Sequence, residues 1–325
     1  MDNEPTDAAP PARPGYLLHV GLFLATLVTT TGVGIIHRLG ELRWEGVASL
    51  PSFILAGLPY SVSIMAILLT HEMGHYVMAR RHGVDATLPF FIPFPYLPFG
   101  TLGAVIRMRG TVKSANAIVD IGAAGPLAGL VVALPVLAYG LWVSPVGPSI
   151  SGGMQEGNSL LYMLIKLVIT GEILPGNGRD VHLHVVAYAG WAGLLVTMLN
   201  LLPVGQLDGG HIAYAYFGTV HNTISRWLHW GLIPMAVVVS AYTVVERLGH
   251  EPLAAALEIG WPGGMPWMVL WILLGVMKRF TGGQYHPPLD DSTLTSGRRR
   301  LCLAMIALFF LILVPIPMRM TLGVK

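Results

Sequence analysis

Apolar runs of about twenty residues recur along this chain, and no other feature constrains its fold as tightly. A backbone in hydrocarbon must satisfy its own hydrogen bonds, which a helix does and a loose loop does not. About 20 mostly apolar residues make a helix long enough to cross the hydrocarbon core. Candidate spans are 16–36, 52–79, 115–143, 185–202, 228–245, 267–277 with its flanks, and 301–317. The sixth is short and bounded by Pro and Gly, and the seventh ends in "PIPMRM", so six or seven spans are expected. Composition agrees: only 11% of residues are charged, against about 25% in soluble domains, and the mean hydropathy is +0.64. The expected fold is an all-α polytopic membrane protein with a small membrane-associated β-hairpin or strand region.

The bilayer is therefore an expected partner, and the net charge of +2 is too small to suggest nucleic acid. With the N-terminus cytoplasmic and seven spans, 12 of the 19 Lys and Arg residues fall on the cytoplasmic side. The positive-inside rule favours that orientation, which turns the C-terminal end of the second helix towards the cytoplasm. A bacterial inner membrane is the expected location, although an organelle membrane fits the same physics. The single cysteine, Cys302, excludes an intramolecular disulfide and reads as a small buried hydrophobe. "MDNEPTDAAPPARPG" carries three acids and one Arg and lacks the basic start of a cleavable signal, so 1–15 reads as a disordered tail. The remaining divisions are 16–50, a first helix and loop; 51–217, a catalytic core; and 218–325, C-terminal helices.

Two connections are not simple loops. "TLPFFIPFPYLPFGTLGAVIRMRG" (87–110) has four prolines within Pro89–Pro98, which excludes a helix, and then alternates apolar and polar as a strand does. Apolar non-helical chain at membrane depth must be buried in protein or line a wet cavity. The second, 144–184, is Gly-rich at both ends, and its centre "SLLYMLIKLVI" is too short to span and suits the interface.

The chemistry is concentrated in His71-Glu72-Met73-Gly74-His75. On a helix, positions i and i+4 share a face, so both imidazoles can reach one ion about 2 Å away. Glu72 is offset round the helix and suits a base acting on water rather than a ligand. Ionisable groups in an apolar helix are costly, which favours a functional reading over a polar helix end. Catalytic zinc takes three protein ligands, and shortly after His75 only His82 is available, beyond the helix end. The best remaining acid is Asp208 in "MLNLLPVGQLDGGHIAYA", which also reads as a helix-capping Asp in a Gly turn.

These motifs carry a resemblance. HEMGH, followed by "GAAGPLAGL" (122–130) and "NLLPVGQLDGG", is similar to the site-2 protease family of intramembrane zinc metalloproteases, over roughly 60–215. The resemblance implies one Zn2+ held by His71, His75 and Asp208, with Glu72 as general base and Asn200 on the substrate backbone. It implies hydrolysis of a peptide bond within or near a transmembrane segment of a membrane-anchored protein. "GTLGAVIRM" resembles the family's membrane-embedded hairpin, and no PDZ-like insertion is present.

Other residues read more plainly. Gly125-Pro126 suits packing at least as well as substrate contact, His211 suits a role beside the ligands or in a loop, and Asp120 suits packing or support behind the site rather than catalysis. "HPPLDD" (286–291) suits a solvated loop, and Trp261, Trp267 and Trp271 suit an interfacial belt. The rival functions are a transporter or ion pathway, disfavoured because no internal repeat is visible, and an inactive relative that binds membrane proteins, disfavoured by the retained Glu72.

Overall fold

The computed structural model describes residues 15–320, other than 97, 110–111, 113, 150–153, 281–284, 287–288 and 290–292. The expected tail lies outside the described residues except for Gly15. Each of the seven apolar segments is helical over most of its length, the seventh only as far as Ile312. Among the described residues five helical stretches, fewer than the six or seven expected, are long and apolar enough to cross a membrane: Tyr16–His37, Val47–Arg81, Ala115–Trp142, Val220–Leu248 and Leu253–Arg279. The helices of the expected spans 185–202 and 301–317 have only 16 and 17 residues. The fold is that of a polytopic helical membrane protein with small strand regions. Large side chains such as Leu17, Val131 and Val168 stand on its outer surface, whereas Thr26, Thr30 and Ser61 are buried. A lipid-facing surface requires that inversion of the soluble pattern, with polar groups paired inside: Thr30 Oγ1 lies 2.6 Å from Ser61 Oγ.

In chain order, helix α1 (Tyr16–His37) leads to α2 (Leu50–Arg81), the helix that carries the HEMGH motif. Strands β1 (Asp85–Ala86), β2 (Phe90–Pro93), β3 (Thr101–Val105) and β4 (Met108–Arg109) follow. They form one irregular antiparallel hairpin: Asp85 pairs with Arg109, Phe90 with Val105 and Pro93 with Thr101. The prolines that forbid a helix sit just before β2, in β2 and in the tip. That tip is tied to the core by Tyr60 Oη, which donates to the Phe99 carbonyl at 3.0 Å, and Tyr188 Oη, which donates to the Pro98 carbonyl at 3.2 Å. The expected extended segment is thus a hairpin packed against α1 and α2.

Helix α3 (Ala115–Trp142) lies at the centre, packed against α2 and against two later helices, α5 (Val185–Asn200) and α6 (Asp208–Phe217). Between α3 and α5 the chain forms β5 (Val146–Pro148), β6 (Met154–Glu156), helix α4 (Leu160–Thr170) and β7 (Arg179–Val181). Helix α4 is the expected short apolar helix. Ser159 Oγ accepts from the Tyr162 N–H at its start, and Gly171 closes it in a left-handed conformation. The strands around it were not legible in the sequence: β5 pairs with β7, and β6 with the C-terminal β8 (Met318–Met320). Each has only three residues, too few for a period to show.

Helix α7 (Val220–Leu248), helices α8 (Leu253–Gly260) and α9 (Met265–Phe280), joined by a 3-10 turn, and α10 (Ser296–Ile312) complete the fold. Of the expected Trp belt, Trp261 is exposed, whereas Trp267 is 3% exposed and donates its indole N–H to the Pro315 carbonyl at 2.9 Å, so it packs inside the protein. Cys302 is buried, as expected.

Candidate metal centre and active site

Helix α2 places His71 and His75 one turn apart on the face turned to α3, and both rings are buried. Asp208 arrives from the other side. After α5 ends at Asn200, the buried stretch 201–207 is not helical, and Gly205 turns it with φ +62°. The chain re-enters a helix at Asp208, so the carboxylate points back towards α2. The broken backbone sits inside protein, where its polar groups find partners: the Gly205 N–H donates to Ser225 Oγ at 3.2 Å.

The three candidate ligand atoms converge. His71 Nε2 and His75 Nε2 are 3.1 Å apart, and Asp208 Oδ2 lies 3.3 Å from the first and 3.2 Å from the second. Two ligands about 2.0–2.1 Å from a tetrahedral ion lie about 3.3 Å from each other, so the set fits a zinc-sized ion. It is the one group of three His, Cys, Asp or Glu side chains among the described residues able to hold a metal. His75 Nδ1 donates to the Ile121 carbonyl at 2.8 Å, which leaves its Nε2 with the lone pair a metal needs.

Helix α3 can approach this closely because of its glycines. Gly122, Gly125 and Gly129 recur on one face. A Cβ on Gly125 would overlap the His75 ring, and one on Gly129 would stand 3.2 Å from His71 Nδ1. Packing is therefore the role of Gly125, and what it packs against is a candidate ligand. The neighbouring Pro126 lies within the continuous helix α3.

A cavity of about 540 Å³ opens beside the cluster. Glu72, Asn200, Asp208 and His211 line it together with the chain from Ala104 to Met108. Asn200 Nδ2 lies 3.3 Å from His71 Nε2, at the last turn of α5. Three of the five expected site residues thus touch one another within hydrogen-bonding distance, Asn200 joins them through His71, and Glu72 shares their cavity wall. Strand β3 pairs only with β2 among the described residues, so the chain entering the cavity has a free edge.

One residue read otherwise from the sequence, His286, changes place, and His82 stays outside the site. His82 does not join the cluster: its Nε2 lies 3.0 Å from Asp120 Oδ2, and Arg298 grips the same carboxylate at 2.7 and 3.1 Å. Asp120 therefore ties α3 to the start of α10. His286 is no solvated loop residue; it is 2% exposed and lines the cavity, with Nε2 2.8 Å from His211 Nδ1. The rest of "HPPLDD", apart from Leu289, lies outside the described residues.

The profile of Peptidase family M50 matches residues 59–239, which is more than half of the chain and includes His71, Glu72, His75, Asn200 and Asp208. The chain belongs to Peptidase family M50. It is thereby a member of a family of membrane metalloproteases, the site-2 protease family that its motifs resemble. Among curated proteins it is similar to the probable zinc metalloprotease EGY1, chloroplastic, of Arabidopsis thaliana, at 28% identity over 80% of this chain and 52% of that one. The EGY1 of Oryza sativa subsp. japonica is 30% identical over 67% of this chain and 41% of its own length. The Arabidopsis EGY2 is 33% identical over 50% of this chain and 29% of its own. The chain thus spans about half or less of the curated relatives it matches. No solved structure matches it. The relatives carry chloroplastic names, so the comparisons lend no support to a bacterial inner membrane; a membrane location stands on the helices.

Proposed function

We propose that this chain is an intramembrane zinc endopeptidase that hydrolyses a peptide bond within or near a transmembrane helix of a membrane-anchored protein. The observation that carries the reading is the convergence of His71 Nε2, His75 Nε2 and Asp208 Oδ2 on one wall of a cavity that Glu72 also lines. His71, His75 and Asp208 hold the ion. Zinc at that position supplies Lewis acidity, polarising a carbonyl and making water acidic enough to attack it near neutral pH. Glu72 takes the proton from the attacking water and returns it to the amine nitrogen as the C–N bond breaks. Asn200, at the cavity wall, offers its amide to the substrate backbone.

A helical substrate hides its peptide bonds in its own hydrogen bonds. A locally unwound substrate instead pairs with the free edge of the chain through 101–108, which gives its backbone new partners and draws the cut bond into the cavity. The catalytic core is 51–217, with the helices of 218–325 around it. The basic Arg80 and Arg81 at the end of α2 support an active site towards the cytoplasmic face of the membrane.

Mapping products by mass spectrometry tests this reading. A single-span substrate reconstituted with the protein in a bilayer is expected to be cut within or next to its span. A Gly-Pro pair near the cut position, which favours unwinding, is expected to speed cleavage. Cuts confined to flexible soluble tails contradict the proposal.

A further inference from the structure

We propose that His286 is a positioning residue of the active site, holding the ring of His211 in a single tautomer at the cavity wall. The inference rests on the protease reading above. His286 lies between α9 and α10, outside the region matched to the family, yet it is 2% exposed. Its ring stacks on Tyr214 of α6, with centroids 4.0 Å apart and planes 13° from parallel. Its Nε2 is 2.8 Å from Nδ1 of His211, one helical turn after Asp208. Both rings line the cavity that holds Glu72 and the three candidate ligands.

An imidazole carried to this depth by a connecting segment needs a hydrogen bond to offset its burial, and His211 supplies one. With Nδ1 of His211 engaged by His286, Nε2 is the ring nitrogen left for another partner. Between two neutral imidazoles one ring donates and the other accepts, so the tautomer of His286 sets which nitrogen of His211 carries the proton. The cavity then presents one defined group to a peptide lying beside Glu72, where a free ring would present donor and acceptor by turns. The family core supplies His211, and the C-terminal part of the chain supplies the residue that sets it.

The test uses the full-length, zinc-loaded protein in detergent. His286→Phe keeps a ring on Tyr214 without a hydrogen bond, and His286→Gln keeps a polar group at the reach of Nε2. Nitrogen-15 spectra of labelled histidines, with His211 assigned through His211→Gln, report its tautomer. His286→Phe is expected to keep bound zinc and Tm, to lower kcat about tenfold with little change in KM, and to move the His211 signals from one tautomer to an average of two. His286→Gln is expected to restore most of both. Unchanged kcat and spectra in His286→Phe overturn the proposal. So does a loss that tracks Tm and that Gln does not rescue. If the wild-type protein holds zinc but cuts nothing, the protease reading falls, and the spectra still decide whether His286 sets His211.

Discussion

Gly125 of α3 lies so close beneath the His75 imidazole that a single added methyl would overlap the ring. The nearest obstacle is the candidate ligand itself, and His75 is also held by the carbonyl of Ile121, one turn earlier on the same helix. Helix α3 therefore works as a template against which α2 presents its histidines.

Gly125→Ala is expected to displace His75 and cost most of the bound zinc while the helices still form. Metal content and circular dichroism of the purified variant check this. An Ala at Gly129, where the clash is milder, is expected to cost less. Full zinc occupancy in Gly125→Ala contradicts the template role.

Asn200→Ala is expected to leave the metal in place and reduce cleavage. Its amide is at the cavity wall and beside His71, and a lost hydrogen bond of about 0.5–1.5 kcal/mol corresponds to a few-fold to tenfold effect on kcat/KM. Zinc content unchanged with slower cleavage is the expected pair of results. Loss of zinc instead makes Asn200 a support for His71.

Lys166 forms a buried charge cluster away from the site. Its Nζ lies 3.8 Å from Glu156 and 3.6 Å from Asp180, and Tyr162 Oη donates to Glu156 at 2.9 Å. Burial raises the Glu156 pKa despite the Lys166 charge, and burial lowers that of Lys166. Removing one partner leaves buried carboxylates uncompensated, so Lys166→Met is expected to cost about 3–5 kcal/mol. Glu156→Gln added to it should recover part of that loss. The sign of the pH effect follows from the raised Glu156 pKa. In Lys166→Met the carboxyl is tolerated when protonated, so stability falls as pH rises through its folded-state pKa. A Tm of Lys166→Met that does not fall with rising pH contradicts this.

Five of the expected spans and the HEMGH helix were legible because each is a local pattern: apolar length, and an i, i+4 pair on one face. Asp208 was legible as an acid next to a break in an apolar helix. The hairpin was legible in kind, since prolines exclude a helix, but the ties of Tyr60 and Tyr188 to its tip join residues far apart in sequence. His286 was misread for that reason: "HPPLDD" has the composition of a surface loop, and only the fold carries its first residue onto Tyr214 and His211. Nor does a charge in an apolar helix announce its partners, so Lys166 gave no sign of the two acids it meets. In "GAAGPLAGL" the spacing of Gly122, Gly125 and Gly129 was the available signal. It showed a face of close approach without showing that the approaching groups are His75 and His71.

The central claim is that His71, His75 and Asp208 hold a zinc ion on which Glu72-dependent hydrolysis rests. The most direct measurement is bound metal and cleavage of a transmembrane test substrate, side by side, for the wild-type protein, Glu72→Gln and Asp208→Ala. The account predicts about one zinc and cleavage in the wild type, zinc without cleavage in Glu72→Gln, and loss of zinc in Asp208→Ala. Cleavage by Glu72→Gln, or full zinc in Asp208→Ala, contradicts it.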